Sequence, residues 1–128
     1  MLGSILLEIL LPGRVHIGEK VPITVRLTNT AGVPVDVHLQ GRPVAFDVII
    51  SRPDSSLVWR RLEGNFVSAV LQLRTLAPGE RLEFEETWSQ RSNSGEPVEP
   101  GEYFVTGVVP TDPPAKLQTA AVPLRVEP

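Results

Sequence analysis

The chain has 128 residues, 41% of them hydrophobic and 21% charged, with 13 prolines, no cysteine and a formal net charge of -3. This is globular chemistry for one domain spanning residues 1–128, with room for a single core, and it argues against disorder. Without cysteine there are no disulfides, thiolate metal sites or cysteine nucleophiles; the weakly acidic balance speaks against nucleic acid as a partner, and the many prolines speak against long helices.

Ile5 to Leu11 is apolar except at Glu8. No basic residue precedes it, and it is far shorter than the roughly 20 apolar residues that cross a bilayer. It therefore reads as a buried first strand, and no membrane partner is expected. Next, Val21, Ile23, Val25 and Leu27 alternate with Pro22, Thr24, Arg26 and Thr28, the period of a half-buried strand. After Thr30-Ala31-Gly32, the alternation of Val33, Val35, Val37 and Leu39 with polar residues predicts a second strand, forming a hairpin with the first.

Gly41-Arg42-Pro43 breaks the chain before Val44, Phe46, Val48 and Ile50. In the turn Arg52-Pro53-Asp54-Ser55-Ser56, Asp and Ser side chains can cap their own backbone. Leu57 to Arg60 is a short strand, Arg61 to Asn65 a connection, and Val67, Ala69, Leu71 and Leu73 mark a further strand. Two Pro-Gly-Glu corners follow, at residues 78–80 and 100–102. The first opens onto Leu82, Phe84, Glu86 and Trp88, the second onto Tyr103 to Val109, and between them Gln90 to Glu99 is the longest polar stretch. Pro110 to Pro114 forms a rigid loop, and Ala120, Val122, Leu124 and Val126 make a last strand that Pro123 moves toward a sheet edge. About eight or nine short strands with frequent turns specify an all-β, antiparallel two-sheet sandwich.

The inventory for chemistry is thin. His16 and His38 are the two histidines, and neither they nor the acidic residues have zinc or calcium spacing. No catalytic residue, metal or cofactor is expected, and the chain is not expected to be an enzyme. Glu83 and Glu85 share a wet strand face, whereas Glu86 falls on the core parity between Phe84 and Trp88, which calls for a bulge or a rim position.

The ordered series Val44-Ala45-Phe46-Asp47-Val48, Leu57-Val58-Trp59-Arg60, Asn65-Phe66, Leu76-Ala77-Pro78-Gly79-Glu80, Glu85-Glu86-Thr87-Trp88 and Pro100-Gly101-Glu102-Tyr103 resembles the BsuPI-type intracellular proteinase inhibitor family over roughly Val21 to Val109. The resemblance implies an immunoglobulin-like sandwich and inhibition of an intracellular serine protease of the subtilisin type in the bacterial cytoplasm. Trp59, Phe66, Trp88 and Tyr103 are expected to pack inside. A structural accessory or cell-envelope interaction domain without inhibitory activity is the alternative, with a secreted or envelope location if the chain is part of a longer protein.

No family motif marks an inhibitory loop, so the partner face is argued from geometry. If the strands run up and down, the connections 12–20, 40–43, 61–65 and 90–99 share one end, gathering Arg14, Arg42, Arg60, Arg61 and Arg91. The expected partner-binding residues are Arg42, Arg60, Arg61 and the protruding loop Arg91, Ser92, Asn93, Ser94, Gly95, Glu96 and Pro97, contacting a protein partner as a monomer or weak dimer. Pairing through an exposed edge such as the final strand is a second route.

Overall fold

A computed structural model describes residues 4–41, 43–65, 67–111 and 116–128. Arg42, Phe66 and the centre of the 110–114 loop, expected above to be a partner contact, a core aromatic and a rigid connection, lie outside them. The described strands are β1 (Ile5–Leu10), β2 (Arg14–His16), β3 (Val21–Asn29), β4 (Val35–Gln40), β5 (Asp47–Ser51), β6 (Leu57–Arg60), β7 (Leu71–Leu76), β8 (Arg81–Trp88), β9 (Gly101–Pro110), β10 (Lys116–Gln118) and β11 (Val122–Glu127). The number exceeds the expected eight or nine because β2 and β10, of three residues each, are too short for alternation to be visible.

The architecture is an immunoglobulin-like β-sandwich whose strand pairs are antiparallel except for β2 with β11, which is parallel. One sheet has the order β1-β3-β8 and the other β2-β11-β9-β5-β6, with β10 also on β9; β4 and β7 form a separate ribbon. Both sheets and the ribbon contribute to one core that includes Val25, Leu39, Ile50, Leu76, Trp88, Val105 and Leu124. Trp88 is fully buried, with Trp59 and Tyr103 packed against it at ring-centroid distances of 6.5 Å and 6.1 Å. Such aromatic pairs add to the burial of their area.

Three expectations are corrected. β3 and β4 do not form a hairpin, since β3 lies between β1 and β8 while β4 pairs β7. The buried Asn29 side chain redirects the chain there, donating to the carbonyls of Val33 and Leu76 and accepting from the Ala31 amide. The strand expected from Val67 starts at Leu71, and its Leu71 and Leu73 face outward. Leu76 is fully buried and fixes the parity, so Leu71 and Leu73 stand opposite the exposed side of β4, beside Gln40 and His38. Finally, β11 is no free edge: Arg125 to Glu127 pair with β2, and Pro123 falls in the half that β2 leaves uncovered.

The two Pro-Gly-Glu corners differ. In the first, Gly79 takes φ 79° while the Glu80 amide donates to the Ala77 carbonyl at 2.9 Å, a turn that needs a residue free of a Cβ at its third position. The second carries no such turn bond, and the chain enters β9 directly at Gly101. Two residues on, the Tyr103 hydroxyl donates back to the Glu99 carbonyl, a tyrosine corner that fixes how the chain enters β9.

Burial raises the Tyr103 phenol above the usual value of 10.0, against the opposing pull of the Arg52 charge. A raised folded-state pKa means that the associated stability is present below pH 10.0 and is lost as pH rises through the folded value. Tyr103 is the single tyrosine, so phenolate absorbance titrates it alone. The native midpoint is expected above that of the urea-unfolded chain, and Tyr103→Phe is expected to abolish the signal and cost about 1–2 kcal/mol in urea unfolding.

Candidate functional site

The polar stretch after β8 folds as a closed loop rather than a floppy tip. Its neck is a bridge between Arg91 and Pro97, below which the Val98 amide donates to the Gln90 carbonyl at 3.0 Å. Within it the Ser92 amide donates to the Glu96 carbonyl at 2.8 Å and the Gly95 amide to the Ser92 carbonyl at 2.9 Å, with Gly95 at φ 89°. The Arg91 guanidinium donates to the Gly95 carbonyl at 2.8 Å, and the Trp88 indole donates to the Arg91 carbonyl at 2.9 Å, tying the loop to the core.

Gln90 is 2% exposed and takes φ 59°, in the left-handed region that side-chain-bearing residues seldom adopt. Its amide nitrogen donates to the carbonyls of His16 and Glu19, each at 2.8 Å, and its amide oxygen accepts from the Gly18 amide at 3.2 Å. One side chain thus fastens the β2–β3 connection to the loop. Asn93 makes the other attachment. Its side chain accepts from the Arg60 amide at 2.7 Å and donates to the Arg60 carbonyl at 3.0 Å, while its own amide donates to the Val58 carbonyl at 3.3 Å. Asn93 therefore serves the outer edge of β6 as a neighbouring strand would.

Two of the expected arginines spend their donors inside the fold. Arg60 donates twice to one oxygen of Asp47, at 3.1 Å and 2.9 Å; Asp47 is 3% exposed, and its other oxygen accepts from the amides of Val48 and Leu62. Arg61 lies over the Phe46 ring at 3.8 Å, donates to the Phe46 carbonyl at 2.8 Å and pairs with Glu86 at 3.1 Å. This explains Glu86 on the core parity: the β3–β8 register is continuous through it, so there is no bulge, and a half-buried rim position is neutralised by Arg61.

The end expected to gather five arginines is otherwise arranged. Arg60 and the Arg91–Pro97 loop do come together, but Arg14 lies in β2, at the opposite edge of its sheet from β6, and pairs with Glu127 at 3.7 Å. The β5–β6 turn, which was not expected at the loop, stands beside it. Arg52, Ser92, Glu96, Glu99 and Tyr103 border a polar cleft of about 290 Å³. That turn caps itself as its composition suggests, with Asp54 accepting from the Ser56 amide at 2.9 Å; hydrogen bonding by the Ser56 side chain first, and then by this amide, holds the Asp54 carboxyl below its usual range. Alternation could not reveal Gln90, because a buried glutamine clamp has no sequence period. The Asn93 contact to β6 leaves no local pattern either.

Both histidines are exposed, and among the described residues no group of three or more His, Cys, Asp or Glu side chains is placed to hold a metal ion. Among those residues, too, no helix is long and apolar enough to cross a membrane.

Residues 14–113 match the family model BsuPI, described as intracellular proteinase inhibitor, a span wider than the motifs quoted above. No curated protein matches the chain. Solved structures with a similar fold include dimeric latent PorU from Porphyromonas gingivalis, with 18% identity and a TM-score of 0.56 over 96% of this chain and 9% of that one. The sporulation control protein Spo0M from Bacillus subtilis gives 18% and 0.54 over 98% and 50%. The CARDB domain of PF1109 from Pyrococcus furiosus gives 17% and 0.50 over 97% and 94%. At these identities the likeness is one of fold, and this chain spans half of Spo0M and a tenth or less of PorU.

The pairing of Arg61 with Glu86 predicts coupling that can be measured. In a double-mutant cycle of Arg61→Ala and Glu86→Ala, urea unfolding is expected to show an interaction of about 1 kcal/mol, and Arg61→Lys is expected to recover only part of it because an ammonium lacks the planar fork.

Proposed function

The chain belongs to the BsuPI intracellular proteinase inhibitor family, and from that premise we propose that it is a non-catalytic module that inhibits a serine protease of the subtilisin type. It acts in the bacterial cytoplasm, as a monomer or weak dimer, by occupying the protease surface with its loops. Arg91 to Pro97 form the presenting loop, with Arg60 beneath it as the group that sets its position.

The observation that supports this reading is the loop's internal bonding. A segment whose turn is already closed by Ser92, Gly95 and Glu96, and whose base is fixed by Gln90 and Asn93, loses little conformational freedom on docking. Arg60 and Arg61 belong to this reading as supports, since their guanidinium groups are held by Asp47 and Glu86. Arg42 remains in the proposal on its place in the chain, between β4 and β5. The second reading, an immunoglobulin-like accessory domain without inhibitory activity, is favoured by the recurrence of this fold as a part of longer chains such as PorU.

An assay of an intracellular subtilisin-type protease separates the two. The protein is expected to suppress turnover at near-stoichiometric ratio, and replacing residues 92–96 by a tight Asn-Gly turn is expected to weaken inhibition by about tenfold or more. Undiminished turnover at high molar excess would favour the accessory reading, and unchanged inhibition by the shortened loop would remove Arg91 to Pro97 from the site.

A further inference from the structure

We infer that the protease-facing surface is wider than the 91–97 loop and is anchored by two apolar side chains that flank it, Ile17 on one side and Leu57 on the other. The inference rests on the inhibitory reading above and assigns the residues that grip the partner.

Two connections flank the loop. The β2–β3 connection is a closed turn: the Glu19 amide donates to the His16 carbonyl at 3.1 Å, the Ile17 amide donates to the Glu127 carbonyl at 2.7 Å, and the Gln90 side chain donates to the His16 and Glu19 carbonyls and accepts from the Gly18 amide. Ile17 projects from this turn, 40% exposed, and shares a shallow hollow with Arg91 and Pro97. On the other side, the β5–β6 turn is closed by the Arg52 amide donating to the Ser56 carbonyl and the Ser55 amide to the Arg52 carbonyl, each at 2.9 Å. Ser55 takes φ 72° there, and Arg52 faces the loop across the polar cleft. Leu57 follows the turn, 49% exposed, next to Val58, whose carbonyl accepts from Asn93.

The result is a polar strip, Ser92 to Glu96, with one large apolar side chain at each flank. Each of these elements is fixed by hydrogen bonds before any partner arrives. An exposed apolar side chain that a partner removes from water contributes to binding in proportion to the area buried. The partner this arrangement fits has two apolar hollows separated by a polar strip, which is the form of a protease substrate cleft, where side-chain pockets lie on either side of the polar catalytic groups. Among the other large exposed apolar residues described, Leu6 and Leu10 stand on β1, Leu71 and Leu73 on β7, and Val33 and Val70 in connections, none of them at a turn bonded to the 91–97 loop. Leu73, 57% exposed on the ribbon, is therefore a matched control.

The test is calorimetric binding to an intracellular subtilisin-type protease whose catalytic serine is replaced by alanine, run beside turnover of the active enzyme. Ile17→Asp and Leu57→Asp alter exposed side chains, and circular dichroism checks that each remains folded. Each is expected to raise Kd about tenfold or more, and the double variant further, whereas Leu73→Asp stays within about twofold of the parent. Binding within about twofold of the parent for Ile17→Asp and Leu57→Asp overturns the inference, as does an equal loss with Leu73→Asp. If the parent binds through these residues yet leaves turnover unchanged, the inhibitory reading falls and the surface stands. If turnover is suppressed equally by the parent and by both variants, the surface falls and the inhibitory reading stands.

Discussion

One buried amide organises the end of the molecule that carries the 91–97 loop. Gln90 sits in the left-handed region at 2% exposure, and its side chain satisfies two carbonyls and one amide of the 16–19 connection while its backbone carbonyl closes the neck of the following loop. A buried amide left without partners would cost several times what each bond contributes, so this arrangement holds as a unit or not at all. Its left-handed conformation costs free energy, which the surrounding bonds offset. The chain reverses there, between β8 and the bridge of Arg91 with Pro97, because Gln90 is held in place from two directions.

The charged residues near this end divide into supports and surface. Asp47 is buried, and it is tolerated because Arg60 and two backbone amides satisfy it. Arg61 covers Phe46 with its guanidinium plane and neutralises Glu86 where β8 would otherwise place a lone carboxylate against the core. Arginine suits both places, since its planar fork stacks and donates at the same time. These pairs stabilise the base on which the loop stands. Residues 93–97 of the loop remain exposed, and they are the surface we propose for a partner.

Much of the scaffold was legible in the sequence, through alternation and turn chemistry. The strands β3, β6, β8 and β9 follow from residues such as Val21 to Leu27 and from the corners at Pro78 and Pro100. The ordered aromatics and corners also pointed to the family whose model matches residues 14–113. What failed was pairing and parity. A two-residue period cannot say which strand is the neighbour or which face is buried, so the β3–β4 hairpin was wrong, and the alternation of Leu71 and Leu73 marked a strand without revealing that Leu76 on the opposite parity is the buried residue. At the candidate site, counting connections brought Arg60 and the 91–97 loop together but misplaced Arg14 across the sheet and overlooked the Arg52 turn. Contacts such as those of Gln90 and Asn93 join segments 30 or more residues apart, and no local pattern encodes them.

The proposed inhibitory role depends on the loop being held in shape before any partner arrives. Amide hydrogen exchange on the free protein reads this directly, since protection requires the bond to be closed most of the time. The amides of Gly18, Arg60, Ser92, Gly95 and Val98 are predicted to exchange well below unstructured rates, and Gln90→Ala to release those of Gly18 and Val98 together. Exchange of these amides at unstructured rates in the parent protein would contradict a preorganised loop.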